Sequence, residues 1–174
     1  MVIERRYWDS ACFLAVLGNE VGRVQVCEPI LRAAAKRVVD IEIVTSAFTI
    51  TEVLYPKGGS PLPAALRATV ARFFRHPGII LVNVDRDVAE RAQEFFWDHK
   101  VRPKDAIHVA SAVAAKVTVL ETYDDKLLKL SGKIGDGSLV IRQPLPLVGA
   151  APPKSAVATT SDSQNQLALG EPES

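Results

Sequence analysis

The stretch PKDAIHVASAVAA at 103–115 limits the possible folds more than any other part of the sequence. A proline at its start suits a first helical turn, because its fixed φ is already helical and its missing N–H would have had no partner there. Beyond it, Ala106, Ile107, Val109, Ala110, Ala112, Val113, Ala114 and Ala115 make the helix apolar almost all round. Such a helix is buried inside a larger fold, and its alanines let neighbours approach closely. One residue does not suit an inert core element. Asp105 stands in the first turn, where a carboxylate either complements the helix dipole or belongs to a site.

Periodicity predicts what encloses this helix. β-rich runs at 3–8, 41–46, 79–84, 117–122 and 139–142 alternate with helical patterns at 10–17, 21–39, from about 49 through Tyr55, 62–75, 85–99 and 126–130. Gly18-Asn19, the run Lys57-Gly58-Gly59-Ser60-Pro61 and His76-Pro77-Gly78 punctuate them, and Asp85 or Asp87 is an N-cap for the helix at 85–99. This alternation defines an α/β class with a mainly parallel central sheet and helices on both faces. The 174 residues suffice for one such domain and are too few for two. From about residue 148 the composition turns to Ala, Pro, Ser, Thr and Gln, with little to bury. The expected organisation is therefore a folded domain at 1–147 and a disordered tail at 148–174.

Several function classes drop out at this level. No apolar run is long enough to cross a bilayer, and Glu4, Arg5 and Arg6 stand where a signal peptide would carry its apolar core. A cytoplasmic protein without a membrane partner is expected. Cys12 and Cys27 lie in apolar helical patterns without CxxC spacing, so they read as small core residues and not as a disulfide framework or zinc site. The net charge is +1 overall and about +3 over 1–147, which permits nucleic-acid binding without demanding it.

Chemistry is concentrated in a few acids. Ligands of open α/β sheets sit beyond the carboxyl ends of the strands. Asp9 ends the first strand, Asp124 or Asp125 ends the strand at 117–122, and Glu52 lies just past the strand at 41–46. Parallel strands place these on one edge. Asp105 joins them only if its helix begins at that same edge, which periodicity leaves open. Crowded carboxylates cannot all stay ionised without compensation, and a hard divalent cation such as Mg²⁺ or Mn²⁺ supplies it through oxygen ligands. In phosphodiester hydrolysis such a cation activates water and stabilises the charge building on the phosphate, so no Ser, Cys or His nucleophile is needed. Taken singly, each acid has a plainer reading: Asp9 as an N-cap, Glu52 as a solvated helix acid, Asp105 as a dipole residue and Asp124 as a turn residue or cap.

Four segments in order narrow this choice: YWDSACFLA at 7–15, TSAFTITEVL at 45–54, PKDAIHVASA at 103–112 and LETYDDKLLKL at 120–130. Together they resemble the PIN-domain family of metal-dependent ribonucleases, and among them the VapC-type toxins of bacterial toxin–antitoxin pairs. The resemblance covers roughly residues 1–143. It implies a three-layer α/β/α fold in which the Asp105 helix brings its first turn to the strand edge. It further implies that Asp9, Glu52, Asp105 and Asp124 coordinate Mg²⁺ or Mn²⁺ and cleave RNA, with a homodimer as the expected assembly. A cognate antitoxin would cover the site and use an apolar groove on the helices at 21–39 and 62–75. In the family the last acid usually follows a Thr-x pair, so the resemblance implies Asp124, after Thr122-Tyr123, as the fourth acid, with Asp125 as a substitute or assistant and Thr122 as a supporting hydroxyl. The alternative is a PIN-like RNA-processing or RNA-binding protein without an antitoxin.

Lesser candidates surround these acids. His108, one turn beyond Asp105, reads first as a packing histidine bonded to backbone and second as a ligand or base. Ser46 and Thr49 are candidates to cap the Glu52 helix and orient that acid. Arg102 and Lys104 flank Asp105 as phosphate contacts or as solvated charges. Trp8, Trp97 and Tyr55 could stack on bases, although core or partner contacts suit them better.

Overall fold

The computed structural model describes residues 3–36, 41–55, 59–135 and 137–147; the expected tail from 148 lies outside them. Strands β1 (Glu4–Trp8), β2 (Ile41–Ser46), β3 (Ile79–Val82), β4 (Val119–Glu121) and β5 (Val140–Arg142) form one sheet in the order β3-β2-β1-β4-β5. Every pairing is parallel, with Tyr7 opposite Val44 on one side and Leu120 on the other. The chain builds outward from β1 through β2 to β3, then crosses to its other side for β4 and β5. That reversal opens a crevice beyond the carboxyl end of β1.

Seven α-helices accompany the sheet among the described residues. On one face lie α1 (Ser10–Leu17), α2 (Val24–Lys36) and α4 (Arg67–Arg75), packing Cys12, Phe13, Cys27 and Phe73 against Trp8 and Ile43. On the other lie α5 (Arg86–His99), α6 (Pro103–Ala114) and α7 (Asp125–Leu128), packing Val88, Val109 and Leu127 against Tyr7, Val44 and Leu120. The one-turn α3 (Thr49–Glu52) sits at the end of β2. The result is the expected α/β/α arrangement. Both thiols are free and buried, as the pattern around them required. Burying each large apolar side chain contributes about 1.5–3 kcal/mol, so the two sheet faces carry most of the stability. Among the described residues, no helix is long and apolar enough to cross a membrane.

Where elements are shorter than their patterns, local chemistry explains it. The helix expected to reach Tyr55 ends at Glu52: Thr49, Ile50, Thr51 and Val53 are β-branched, which weakens an isolated turn. The pattern at 62–75 is helical only from Arg67, preceded by a 3-10 turn at Ala64–Leu66. Pro63 keeps Leu62 out of helical backbone. Helix α2 starts at Val24 because Gly22 holds φ +84° just before it.

A buried charge network stitches the edge of the sheet. Glu121 is fully buried, accepting from Trp8 Nε1 at 2.9 Å and from Arg142 Nη2 at 3.1 Å, with Arg6 Nη1 at 3.5 Å. Arg6 also donates to the Leu145 carbonyl at 3.1 Å, which ties the segment after β5 back across the sheet.

Backbones touch at one further point. A Cβ on Gly78 would lie 2.2 Å from the Ala34 carbonyl oxygen of α2. Gly78→Ala is expected to cost about 2–3 kcal/mol, because the obstruction is main chain and not a movable side chain. Urea unfolding measures this directly; a midpoint unchanged from wild type would contradict the close approach.

Candidate active site

Asp9 follows β1 and caps α1, its Oδ1 accepting the Ala11 N–H at 3.0 Å. Its Oδ2 accepts the Thr122 hydroxyl at 2.5 Å. The Thr122 oxygen in turn accepts the Asp124 N–H at 2.9 Å. One hydroxyl at the end of β4 therefore fixes both Asp9 and the backbone bearing Asp124. Asp124 also caps α7, accepting the Lys126 N–H at 2.8 Å. The capping readings of Asp9 and Asp124 are thus correct, and each acid keeps an oxygen directed elsewhere.

Glu52 closes α3 and meets α6. His108 Nε2 lies 2.6 Å from Glu52 Oε2, while His108 Nδ1 lies 3.0 Å from the Tyr7 hydroxyl. Burial pushes the Tyr7 phenol well above its ordinary range. The phenol therefore stays protonated, and the Glu52 carboxylate, which can only accept, takes its hydrogen bond from His108 Nε2–H. The expected backbone partner of His108 is replaced by these two side chains. Ser46 Oγ accepts the Phe48 N–H at 3.2 Å and so shapes the entry to α3. Thr49 does not cap that helix: its hydroxyl pairs with Thr45 at 2.7 Å, and Thr45 donates to the Trp8 carbonyl.

Asp105 lies in the first turn of α6, and that turn stands at the carboxyl edge of the sheet. Arg102 shows this directly, with Nε donating to Asp105 Oδ2 at 2.7 Å and Nη2 to Asp124 Oδ2 at 2.8 Å. The condition that periodicity left open is met. Asp9, Glu52, Asp105 and Asp124 all line one pocket of about 380 Å³, together with Ser10, Arg23, Tyr55, Lys104 and His108. Asp125 is exposed and not among its lining residues. Trp8 is core, Trp97 is exposed, and Tyr55 is exposed at the pocket wall.

The electrostatics divide the acids. Burial pushes the Asp9 carboxyl upward, against the lowering influence of His108, the Thr122 hydroxyl and the α1 backbone. Burial also acts upward on Glu52, but the His108 hydrogen bond and charge, with Lys104 3.5 Å away, hold it below the usual carboxylate range. Arg102 is held more firmly protonated by its bonds to Asp105, and by Asp124. Among the described residues, no three carboxylate, imidazole or thiol groups converge closely enough to hold one ion between them. The acids face the same space, and each of the four has a hydroxyl, cation or imidazole partner.

The PIN-domain family model matches residues 7–133, from the end of β1 just before Asp9 to just past α7. The chain belongs to the PIN-domain family. Solved structures share the fold at low identity. A toxin–antitoxin complex from Klebsiella pneumoniae is 20% identical, covering 82% of this chain and 99% of that one with a TM-score of 0.53. The sarcin–ricin-loop-cleaving VapC toxin of Mycobacterium tuberculosis is 15% identical over 69% of this chain and 90% of its own, TM-score 0.54. A VapBC complex from Rickettsia felis, bound to promoter DNA, is 12% identical over 80% and 98%, TM-score 0.58. Among curated proteins, none matches the sequence.

Two residues of this PIN-domain pocket, Ser10 and Arg23, and the buried Glu121 behind it have no assigned part in the sequence pattern. Ser10 lines the pocket beside Glu52 and helps lower its carboxyl; its adjacency to Asp9 was the only signal. Arg23 lies over the Tyr123 ring, 4.5 Å from its centroid, and pairs with Glu20 at 2.7 Å. Glu121 had no signal at all, because a charge inside a strand pattern reads as a solvent-facing residue until the fold shows the arginines around it.

Proposed function

We propose that this PIN-domain protein is a divalent-cation-dependent endoribonuclease, the toxin of a VapBC-like pair. One observation carries the reading: four carboxylates from four separate elements line one pocket at the topological switch point of a parallel sheet. The donor chemistry fits Mg²⁺ or Mn²⁺. Asp9, Glu52, Asp105 and Asp124 offer only hard oxygen, and the pocket already recruits positive charge through Arg102 and Lys104 to offset them. When bound, the cation would activate water and offset charge on the phosphate.

The chain's own residues prepare that chemistry. Thr122 orients Asp9, His108 orients Glu52, and the buried body of α6 holds Asp105 rigid. Lys104 and Arg102 give the rim the charge needed to hold a phosphate backbone. In-line displacement at such a site leaves a 5′-phosphate and a 3′-hydroxyl.

An antitoxin would use an apolar groove. A groove of about 730 Å³ runs beside the pocket between α3 and α4, lined by Ile50, Leu54, Leu66, Val70 and Phe74, with Arg67 and Arg75 among its walls. It suits an amphipathic partner helix with acidic flanks. The proposed surface uses α4 together with α3, where the sequence named the helices at 21–39 and 62–75.

Incubating purified protein with total RNA and Mg²⁺ or Mn²⁺, then mapping the ends, tests the activity. Cleavage with 5′-phosphate ends, abolished by EDTA and by Asp105→Asn, is the expected result. RNA left intact by wild type in both metals would sink the proposal.

A further inference from the structure

The positive charge nearest the acidic pair comes from the chain itself. Arg102 has extended backbone, φ −59° and ψ 143°, as a residue before proline must. Pro103 therefore fixes the direction in which the side chain leaves, back over the strand ends and not along α6. A single planar guanidinium then serves two carboxylates on different elements, at 2.7 Å from Asp105 Oδ2 and 2.8 Å from Asp124 Oδ2. The fork geometry makes this possible; an ammonium would act as a point charge on one of them.

The arrangement is firm in direction and light in anchoring. Without a cation between them, Asp105 and Asp124 would repel in a pocket that also holds Asp9 and Glu52. The arginine side chain is nevertheless 46% exposed, so its ion pairs are screened and it leaves without opening the core. The oxygens it uses are the ones a divalent cation would need.

Building on the metal-nuclease reading, we infer that Arg102 is a built-in counter-ion that holds Asp105 and Asp124 in place in the cation-free pocket and competes with a divalent cation for their oxygens. On release it stays tethered at the mouth by Pro103, where the next anion it meets is an RNA phosphate.

Calorimetric titration of Mn²⁺ into the full chain separates this from a merely structural role. Arg102→Met is expected to bind Mn²⁺ about five- to tenfold tighter than wild type, the effect of removing a competitor whose ion pairs are weak. Arg102→Lys, with charge but no fork, should fall between the two and serves if the Met variant folds poorly. Without metal, Arg102→Met should melt about 2–4 °C lower, and saturating Mn²⁺ should erase that gap. Equal or weaker Mn²⁺ binding by both folded variants, with wild type binding well, overturns the counter-ion and leaves the nuclease reading standing. If neither wild type nor either variant binds Mn²⁺, the metal site itself is refuted and the inference goes with it.

Discussion

Asp9→Asn is expected to move activity and stability in opposite directions. Cleavage of RNA in Mg²⁺ should fall by about 10²–10³-fold, the size of loss seen when one preorganised charge-stabilising group is taken from an active site. The fold should survive, because the Asn oxygen can still accept the Ala11 N–H that starts α1. Thermal stability at neutral pH should rise. Burial pushes the Asp9 carboxyl above its unfolded value, so the native chain binds that proton more tightly than the unfolded chain. Stability therefore declines as pH rises through the window between the unfolded and the raised folded value, and the deficit is complete above it. Removing the ionised group relieves it, by about 2–4 °C in Tm for a chain of this size. The gap should close as pH falls into the ordinary carboxylate range. A melting temperature at or below wild type across the whole pH range would show that Asp9 is not held ionised against its surroundings.

Glu121→Gln should be the most damaging single change outside the pocket, costing about 3 kcal/mol in urea unfolding. The substitution keeps shape and leaves Trp8 Nε1 an acceptor. It removes the negative charge that Arg6 and Arg142 share, both of which direct guanidinium groups at Oε1. Arg6 is itself buried and, among the described residues, would keep exposed Glu4 and the Leu145 carbonyl as partners. The loss should persist in high salt, since buried pairs are little screened. Activity should fall as well. The Glu121 carbonyl accepts the Asp9 N–H at 3.4 Å, and the next residue is Thr122. A cost below about 1 kcal/mol would mean that the network relaxes to solvent on mutation.

Much of the architecture was legible because it rests on local pattern. Hydrophobic runs set five parallel strands, and the apolar face of each helix chose its layer. The carboxyl-edge rule then placed Asp9, Glu52 and Asp124 before any coordinates. Asp105 was different. Its place at that edge depends on how α5 and the connection at 100–102 return the chain, and no local pattern encodes a path. The same limit applied to His108. A histidine on a buried helix looks like packing until Tyr7 and Glu52 arrive from strands and turns distant in sequence. Glu121 was illegible for a third reason, since the arginines that neutralise it come from both ends of the chain. Element ends were misjudged where proline or β-branched residues cut a good apolar pattern short, as in α3 and α4.

The Glu52–His108 bond changes how the pocket should be counted. Glu52 rides on a single helical turn that has no means of holding its own direction. Its bearing is borrowed from α6, three residues along from Asp105 and so on the same side of the helix. Two of the four acids thus answer to one rigid rod, and the other two to the Thr122 hydroxyl. A slight rotation of α6 would carry Asp105 and Glu52 together, and would reach Asp124 through the Arg102 bridge. Any partner that presses on the groove beside α3 therefore has a lever on half of the carboxylates at once.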